Sequence, residues 1–270
     1  MRYKTITVKP LTRTIGAEIS GVDLSQPVSE SQVKEIHDAL MAHQVIFFRD
    51  QPIDHDQHKA FGRAFGDLAL HSSVSGLPEH PEVVAIHADA DSTFIAGDSW
   101  HSDLTINEEP PMGSILYLHT VPESGGDTMF ASMYAAYEAL SDRMQRYLEG
   151  LRAVHDGNPL YKRLFPDIDR TYPSATHPII RTHPVTGRKL LFVNAQYTDH
   201  IVGVPKAESD AILNYLYDHC QDPRFHCRFR WEPHSIAFWD NRCTQHYAIW
   251  DYFPETRSGY RVTLAGDRPF

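Results

Sequence analysis

FHCRFRWEPHSIAFWDNRCTQHYAIWDY, residues 225–252, falls into three short runs rich in aromatic and β-branched residues: FHCRFRW (225–231), SIAFWD (235–240) and QHYAIWDY (245–252). Runs of this length and composition, broken by polar turn residues, predict strands. GYRVTLAG (259–266) continues the series toward the C-terminus. Working back along the chain, KLLFV (189–193), the run around Ile201, TMFA (128–131), SILYLHTV (114–121) and EVVAIH (82–87) are of the same kind. EEPP (108–111) and ESGGD (123–127) are the turn signals between them. VIFF (45–48) reads as a buried strand and residues 3–8 as a weakly alternating one.

Helical periodicity appears between these runs. In SESQVKEIHDALMAHQ, Ser29 caps a helix with Gln32 at its third position, and Val33, Ile36, Leu40 and Met41 share a face. DHDQHKAFGRAFG predicts a short helix ending at Gly66. SMYAAYEALSDRMQRYLEG (132–150) predicts one helix with Met133, Ala136, Leu140, Met144 and Tyr147 on or near one side. AESDAILNYLYDHC predicts another, burying Ile212, Leu213, Leu216 and Tyr217. Residues 157–178 mix Pro, Asp and aromatics without a period and read as a long loop or lid. Many short strands with a few helices fit a mainly β, double-sheet core with helical additions, and residues 1–270 read as a single domain.

The 270 residues are 41% hydrophobic and 22% charged, with a formal charge of -10 and no basic block that would draw nucleic acid. No apolar run has the length of a membrane span, and MRYKTITVKP lacks a signal-peptide core. Cys220, Cys227 and Cys243 form neither a CxxC pair nor an even-numbered framework, which points to a reducing, cytoplasmic setting.

Seventeen histidines direct attention to metal coordination, and GDSWHSD (97–103) is the place to look. If residues 100–104 are extended, His101 and Asp103 point to the same side. His246, in the strand-like TQHYAIW, is the best-placed third donor. Two histidines and one carboxylate make the facial set of non-haem Fe(II), which leaves positions open for cosubstrate and oxygen. The same three residues also suit hydrolytic zinc, although HExxH is absent. A surface pair with no ion looks identical in sequence, so these readings stay open at this point. The spacing of Arg257 and Arg261 in TRSGYRVTLAG aligns them on a helix, whereas on a strand they share a side about 13 Å apart and can serve neighbouring anions in one cavity; two solvated arginines look the same in sequence. Thr128, after the GGD turn, offers a hydroxyl to a carboxylate.

Taken together, these residues resemble the taurine dioxygenase and 2,4-dichlorophenoxyacetate dioxygenase (TauD/TfdA) family of Fe(II)- and 2-oxoglutarate-dependent oxygenases. The resemblance runs through IGAEISGVDL (15–24), VIFFRDQ (45–51), WHSD (100–103), PESGGDT (122–128), THPVTGRKLLFVN (182–194), IVGV (201–204), WDNRCTQHYA (239–248) and Arg257/Arg261. It implies a double-stranded β-helix (jelly-roll) core. It also implies His101, Asp103 and His246 as iron ligands and Thr128 and Arg257 as 2-oxoglutarate contacts. Arg261, His71 and Tyr197 take the positions of substrate contacts. Gly97 stands where the taurine enzyme has asparagine, and Tyr197 where it has phenylalanine, so taurine itself is not singled out.

GDSWHSD, FASMYAAYEALS and FVNAQYTDHI look more like the aryloxyalkanoate branch. The implied reaction hydroxylates a small anionic sulfonate, alkyl sulfate or aryloxyalkanoate, using O2, with succinate and CO2 as coproducts and collapse of the hydroxylated product. Asp103 argues against halogenation, because related halogenating enzymes lack that carboxylate. A homodimer or homotetramer without nucleic-acid or membrane partners is the family's expectation. A zinc hydrolase and a non-catalytic jelly-roll binding protein are the competing classes.

Overall fold

All four side chains of Val45–Phe48 are buried, which requires a sheet covered on both faces. The computed structural model describes residues 3–270; the first two residues of the N-terminal stretch lie outside it. In chain order the strands are β1 (Thr7–Pro10), β2 (Ala17–Ser20), β3 (Val45–Phe48), β4 (Leu68–Ala69), β5 (Val83–Ala88), β6 (Gly113–Thr120), β7 (Thr128–Ser132), β8 (Arg152–Asp156), β9 (Ser174–Pro178), β10 (Ile180–Thr182), β11 (Lys189–Leu191), β12 (Thr198–Ile201), β13 (His226–Phe229), β14 (Ser235–Asp240), β15 (Thr244–Ala248) and β16 (Arg257–Leu264). The α-helices are α1 (Glu30–His43), α2 (His55–Arg63), α3 (Met133–Glu138), α4 (Asp142–Leu148), α5 (Asn158–Leu164) and α6 (Lys206–Cys220).

The large sheet runs β1-β2-β3-β14-β6-β16-β4, with β5 also paired to β16. Opposite it lies the small sheet β13-β7-β15; β12-β8-β9 and the β10-β11 hairpin complete the β structure described. Side-chain alternation divides the large sheet's residues between two cores. Ile46 and Phe48 of β3, Ile115 of β6 and Phe238 of β14 pack with α1 and α2. Their neighbours Val45, Phe47, Leu116, Leu118, Ala237 and Trp239 face the other way, onto Phe130, Cys227 and Phe229 of the small sheet. Phe47 stacks on Phe229 with ring centroids 3.9 Å apart, which holds the two sheets together. The consecutive apolar runs in β3 and β14 follow from this double coverage.

Helix caps explain where the sequence reading and the structure part. Ser29 and Gln32 form the predicted capping box on α1. The predicted helix over 132–150 is two helices, because Ser141 accepts from the Met144 N–H and caps α4 anew. The second helix, α2, starts on an Asp54–Gln57 capping box and ends at Arg63, three residues before Gly66. Residues 157–178 are not one loop: α5 and β9 form at its ends and leave 165–173 irregular. Tyr161 and Tyr172 are buried there with Leu104, Ile106 and Tyr197, so an aromatic cluster fixes this segment to the body.

Three imidazoles lie inside these cores. Burial pushes His155 down to about 3, and His58 and His177 down to about 4, so each is neutral in the fold. In the unfolded chain they titrate near 6.5 and bind protons that the native state refuses. Stability present above that value is therefore lost as pH falls from 6.5 toward 4. The unfolding free energy should drop over this window. His155→Asn should flatten the slope near pH 5 by about 1.4 kcal/mol per pH unit, read from denaturant titrations. An unchanged slope would remove His155 from the account.

Candidate active site

His101 and His246 meet as an antiparallel backbone pair. The His101 N–H donates to the His246 carbonyl at 3.1 Å, and the His246 N–H donates to the His101 carbonyl at 2.8 Å. Directly opposed residues of such a pair project their side chains to one face. Here that face also carries Phe130, the partner of His246 on β7, and Thr128 two residues before it. The chain turns after Ser102, with Leu104 at φ 48°, and this turn rather than strand alternation brings Asp103 back to the pair.

The result is a buried three-donor cluster. One ligand atom each from His101, Asp103 and His246 lies within 4.8 Å of the others. Asp103 Oδ1 is 3.8 Å from His101 Nε2 and 3.9 Å from His246 Nε2. His101 Nδ1 donates to the Ser99 carbonyl at 2.8 Å, which leaves Nε2 with its lone pair inward. Burial holds both imidazoles below their ordinary range and so keeps them neutral. Burial alone would raise the Asp103 carboxyl. The Arg261 guanidinium above all, with the hydrogen bond from Ser114, keeps it well below the usual carboxylate range. Neutral imidazoles and an ionised carboxylate are the protonation states a divalent ion requires, so the residues fit a ferrous ion.

A second set of groups positions these donors. Ser114 Oγ donates to Asp103 Oδ2 at 2.8 Å. Asn241 Oδ1 accepts from the Asp103 N–H at 2.6 Å, and its amide donates to the Asp103 carbonyl at 2.9 Å. Farther along the loop, His155 Nδ1 pairs with Thr105 Oγ1, and His177 Nε2 donates to the Thr105 carbonyl. None of these four was assigned a role from the sequence. The one signal for Asn241 is its place in the β14–β15 turn, just ahead of the strand that carries His246.

Two arginines of β16 reach the site from the facing sheet, because Arg257 and Arg261 lie on the same side of that strand. Arg257 is buried, and its Nε donates to the Gly126 carbonyl at 3.0 Å. Among the described residues, no carboxylate lies within ion-pair distance of it. Desolvation lowers its pKa to about 10, so it stays charged at neutral pH. With Thr128, His101 and His246 it lines a small cavity against the metal cluster. Arg261 NH1 instead donates to Asp103 Oδ1 at 2.8 Å, while its buried Nε has no partner among the described residues.

Adjoining the cluster is a cavity of about 660 Å³ whose lining includes His71, Tyr161, Tyr197 and Arg261. His71 Nδ1 accepts from the Ser73 and Val74 N–H groups, each at 3.1 Å, so its proton resides on Nε2. Burial first, and Arg261 second, push this imidazole down to about 3. The hydroxyls of Tyr197 and Tyr161 are 3.2 Å apart. All eight residues singled out in the sequence thus border two adjoining cavities. Asn241, Ser114 and Tyr161 are additions from the structure.

The family described as taurine catabolism dioxygenase TauD, TfdA family matches residues 7–263, and the chain belongs to it. An alpha-ketoglutarate-dependent sulfate ester dioxygenase of Pseudomonas putida is 35% identical, covering 98% of this chain and 91% of the relative. The alpha-ketoglutarate-dependent 2,4-dichlorophenoxyacetate dioxygenase of Cupriavidus pinatubonensis is 33% identical, covering 90% of this chain and 91% of its own. A crystal structure of a taurine dioxygenase from Burkholderia xenovorans is 40% identical with a TM-score of 0.87, covering 98% of this chain and 93% of that one. Like that structure, this chain is mainly β with a few helices. The chain is a 2-oxoglutarate-dependent dioxygenase with Fe(II) as its metal and O2 as cosubstrate. The zinc-hydrolase and non-catalytic readings find no support among these relatives.

Asn241→Ala should weaken Fe(II) binding about 10- to 100-fold by freeing the Asp103 backbone. An anaerobic metal titration reads this directly, and wild-type affinity in the variant would show that Asn241 does not position the ligand.

Proposed function

We propose that this dioxygenase hydroxylates a small organic anion with a largely apolar body: an alkyl sulfate, an organosulfonate or an aryloxyalkanoate. In this reading His101, Asp103 and His246 hold Fe(II), and Thr128 and Arg257 hold the far carboxylate of 2-oxoglutarate. His71, Tyr197 and Arg261 face the substrate. The observation that carries it is Arg257: a buried, charged guanidinium with no carboxylate partner among the described residues, in a small cavity that His101 and His246 of the three-donor cluster also line. A buried cation without a counterion calls for an anionic ligand.

The substrate side follows the same logic. The larger cavity is walled by Val74, Leu77, Val84, Leu160 and Phe165, among others. Arg261 Nε and His71 Nε2–H are donors available to an anion. Asp103 is already committed to the cluster and to Arg261, and Asp98 is exposed, so no buried acid is left for a substrate ammonium. This favours apolar-bodied anions over an amino-sulfonate.

Iron, when bound with 2-oxoglutarate and O2, supplies the oxidative decarboxylation to succinate and CO2 and the oxygen inserted into a substrate C–H bond. The protein's contribution is placement. Arg257 and Thr128 fix one end of the cosubstrate, while Arg261 and His71 fix the substrate head. The apolar wall excludes water and sets the target carbon beside the metal. Hydroxylation next to a sulfate, sulfonate or ether heteroatom gives a product that fragments. In the same reading the two facing sheets are a double-stranded β-helix (jelly-roll) core of one domain over 1–270, with residues 157–178 as a lid packed over the larger cavity. The expected assembly is a dimer or tetramer in the cytoplasm. Nucleic acid and membranes are not expected partners.

Fe(II)-loaded protein with O2 and 2-oxoglutarate should form succinate when given alkyl sulfates or phenoxyalkanoates, and less with taurine. Arg257→Gln should raise the apparent KM for 2-oxoglutarate about 30- to 100-fold, and Arg261→Gln should raise the KM for the organic anion instead. Succinate formation unaffected by every anion tested, at verified iron occupancy, would contradict the reading.

A further inference from the structure

Thr128 Oγ1 is contacted by two donors and has no acceptor. The indole Nε1–H of Trp231 donates to it at 2.9 Å, and Arg257 NH2 donates to it at 3.2 Å. A hydroxyl oxygen has two lone pairs and one hydrogen. With both lone pairs engaged, the hydrogen is the only group it has left to offer. Among the described residues, nothing accepts that hydrogen. Trp231 is itself fixed: it is 5% exposed and packs edge-on against Phe229 with centroids 5.0 Å apart. Its ring centroid is 5.5 Å from the Arg257 guanidinium carbon.

We infer that Trp231 is a positioning residue that makes Thr128 an obligate hydrogen-bond donor toward the cosubstrate's far carboxylate. It rests on the proposed reading that Thr128 and Arg257 bind that carboxylate. Without the indole N–H, one lone pair is free and the hydroxyl can turn it toward the incoming anion, where oxygen would face oxygen. With the indole in place that orientation is blocked, and the hydroxyl hydrogen joins the guanidinium in facing the anion. The consequence is selectivity as well as affinity. Trp231 favours a 2-oxo acid with a second carboxylate over one that ends in a methyl group, although it need touch neither molecule.

The test is a double-mutant cycle on the Mn(II)-loaded protein, titrated anaerobically with 2-oxoglutarate by calorimetry. Thr128→Val and Trp231→Phe should each raise Kd about 5- to 30-fold. The double variant should bind no more weakly than Thr128→Val alone. With 2-oxobutanoate, which lacks the distal carboxylate, Trp231→Phe should leave Kd unchanged, whereas a general packing defect would weaken both ligands. Replacing Trp231 by 3-benzothienylalanine keeps the ring shape and removes only the donor. It should reproduce the Phe result should the smaller ring disturb folding. Losses that multiply in the double variant, or a benzothienyl protein with wild-type Kd, would overturn the inference. If Thr128→Val and Arg257→Gln both leave 2-oxoglutarate binding unchanged, the reading of the carboxylate site fails first.

Discussion

The two hydrogen bonds exchanged by His101 and His246 join segments 145 residues apart, the difference of their positions, and everything at the metal cluster depends on that join. It extends the small sheet by one bridge, sets the two imidazoles on the same face and fixes where the loop to Asp103 begins. The geometry of the donor cluster is therefore built from backbone pairing, which is stiff, with Ser114, Asn241 and Ser99 trimming side-chain orientation. Few buried ligands can be held this way without a facing sheet to cover them, and the large sheet supplies that cover through Trp239 and Leu116.

Burying so much charge requires compensation, and the chain provides it in two ways. Outside the site the buried charges have counterions: Arg181 pairs with Asp267, although its Nε and second terminal nitrogen find no partner among the described residues. Asp240 accepts from Arg242 through both oxygens and from His183 at 3.0 Å. The grouping of His183, Asp240 and Cys243 thus has its carboxylate already spent and is a structural anchor at the end of β14. Inside the site, compensation is left incomplete. Among the described residues Arg257 has no counterion and Arg261, paired with Asp103, keeps an unpaired Nε, and in the proposed reading the cosubstrate and substrate supply the missing anions.

Much of this was legible in the sequence because it depends on local chemistry. Ser29 with Gln32 announces α1, and the uninterrupted VIFF announces a doubly covered strand. His101, Asp103 and His246 carry recognisable metal donors, and Arg257 and Arg261 share a side once β16 is read as a strand. The rest depended on partners distant in sequence. Nothing in SMYAAYEALSDRMQRYLEG shows that Ser141 will cap a new helix rather than ride the surface of one. Tyr161 reads as part of an aperiodic segment until Tyr172 and Tyr197 are seen packed around it. The expected alternation over 100–104 misjudged how Asp103 arrives, since a positive-φ turn at Leu104 does the work. Trp231 looks like any core aromatic until its N–H is traced to Thr128.

The central claim is that His101, Asp103 and His246 hold the metal where two adjoining cavities meet, and that Arg257 and Thr128 hold the cosubstrate's far carboxylate in the smaller one. An anaerobic crystal structure with Mn(II) and 2-oxoglutarate tests it most directly. The account predicts one ion bound by the two Nε2 atoms and Asp103 Oδ1, with the distal carboxylate on the Arg257 guanidinium and the Thr128 hydroxyl. An ion elsewhere, or a carboxylate seated on Arg261 with Arg257 unengaged, would contradict it.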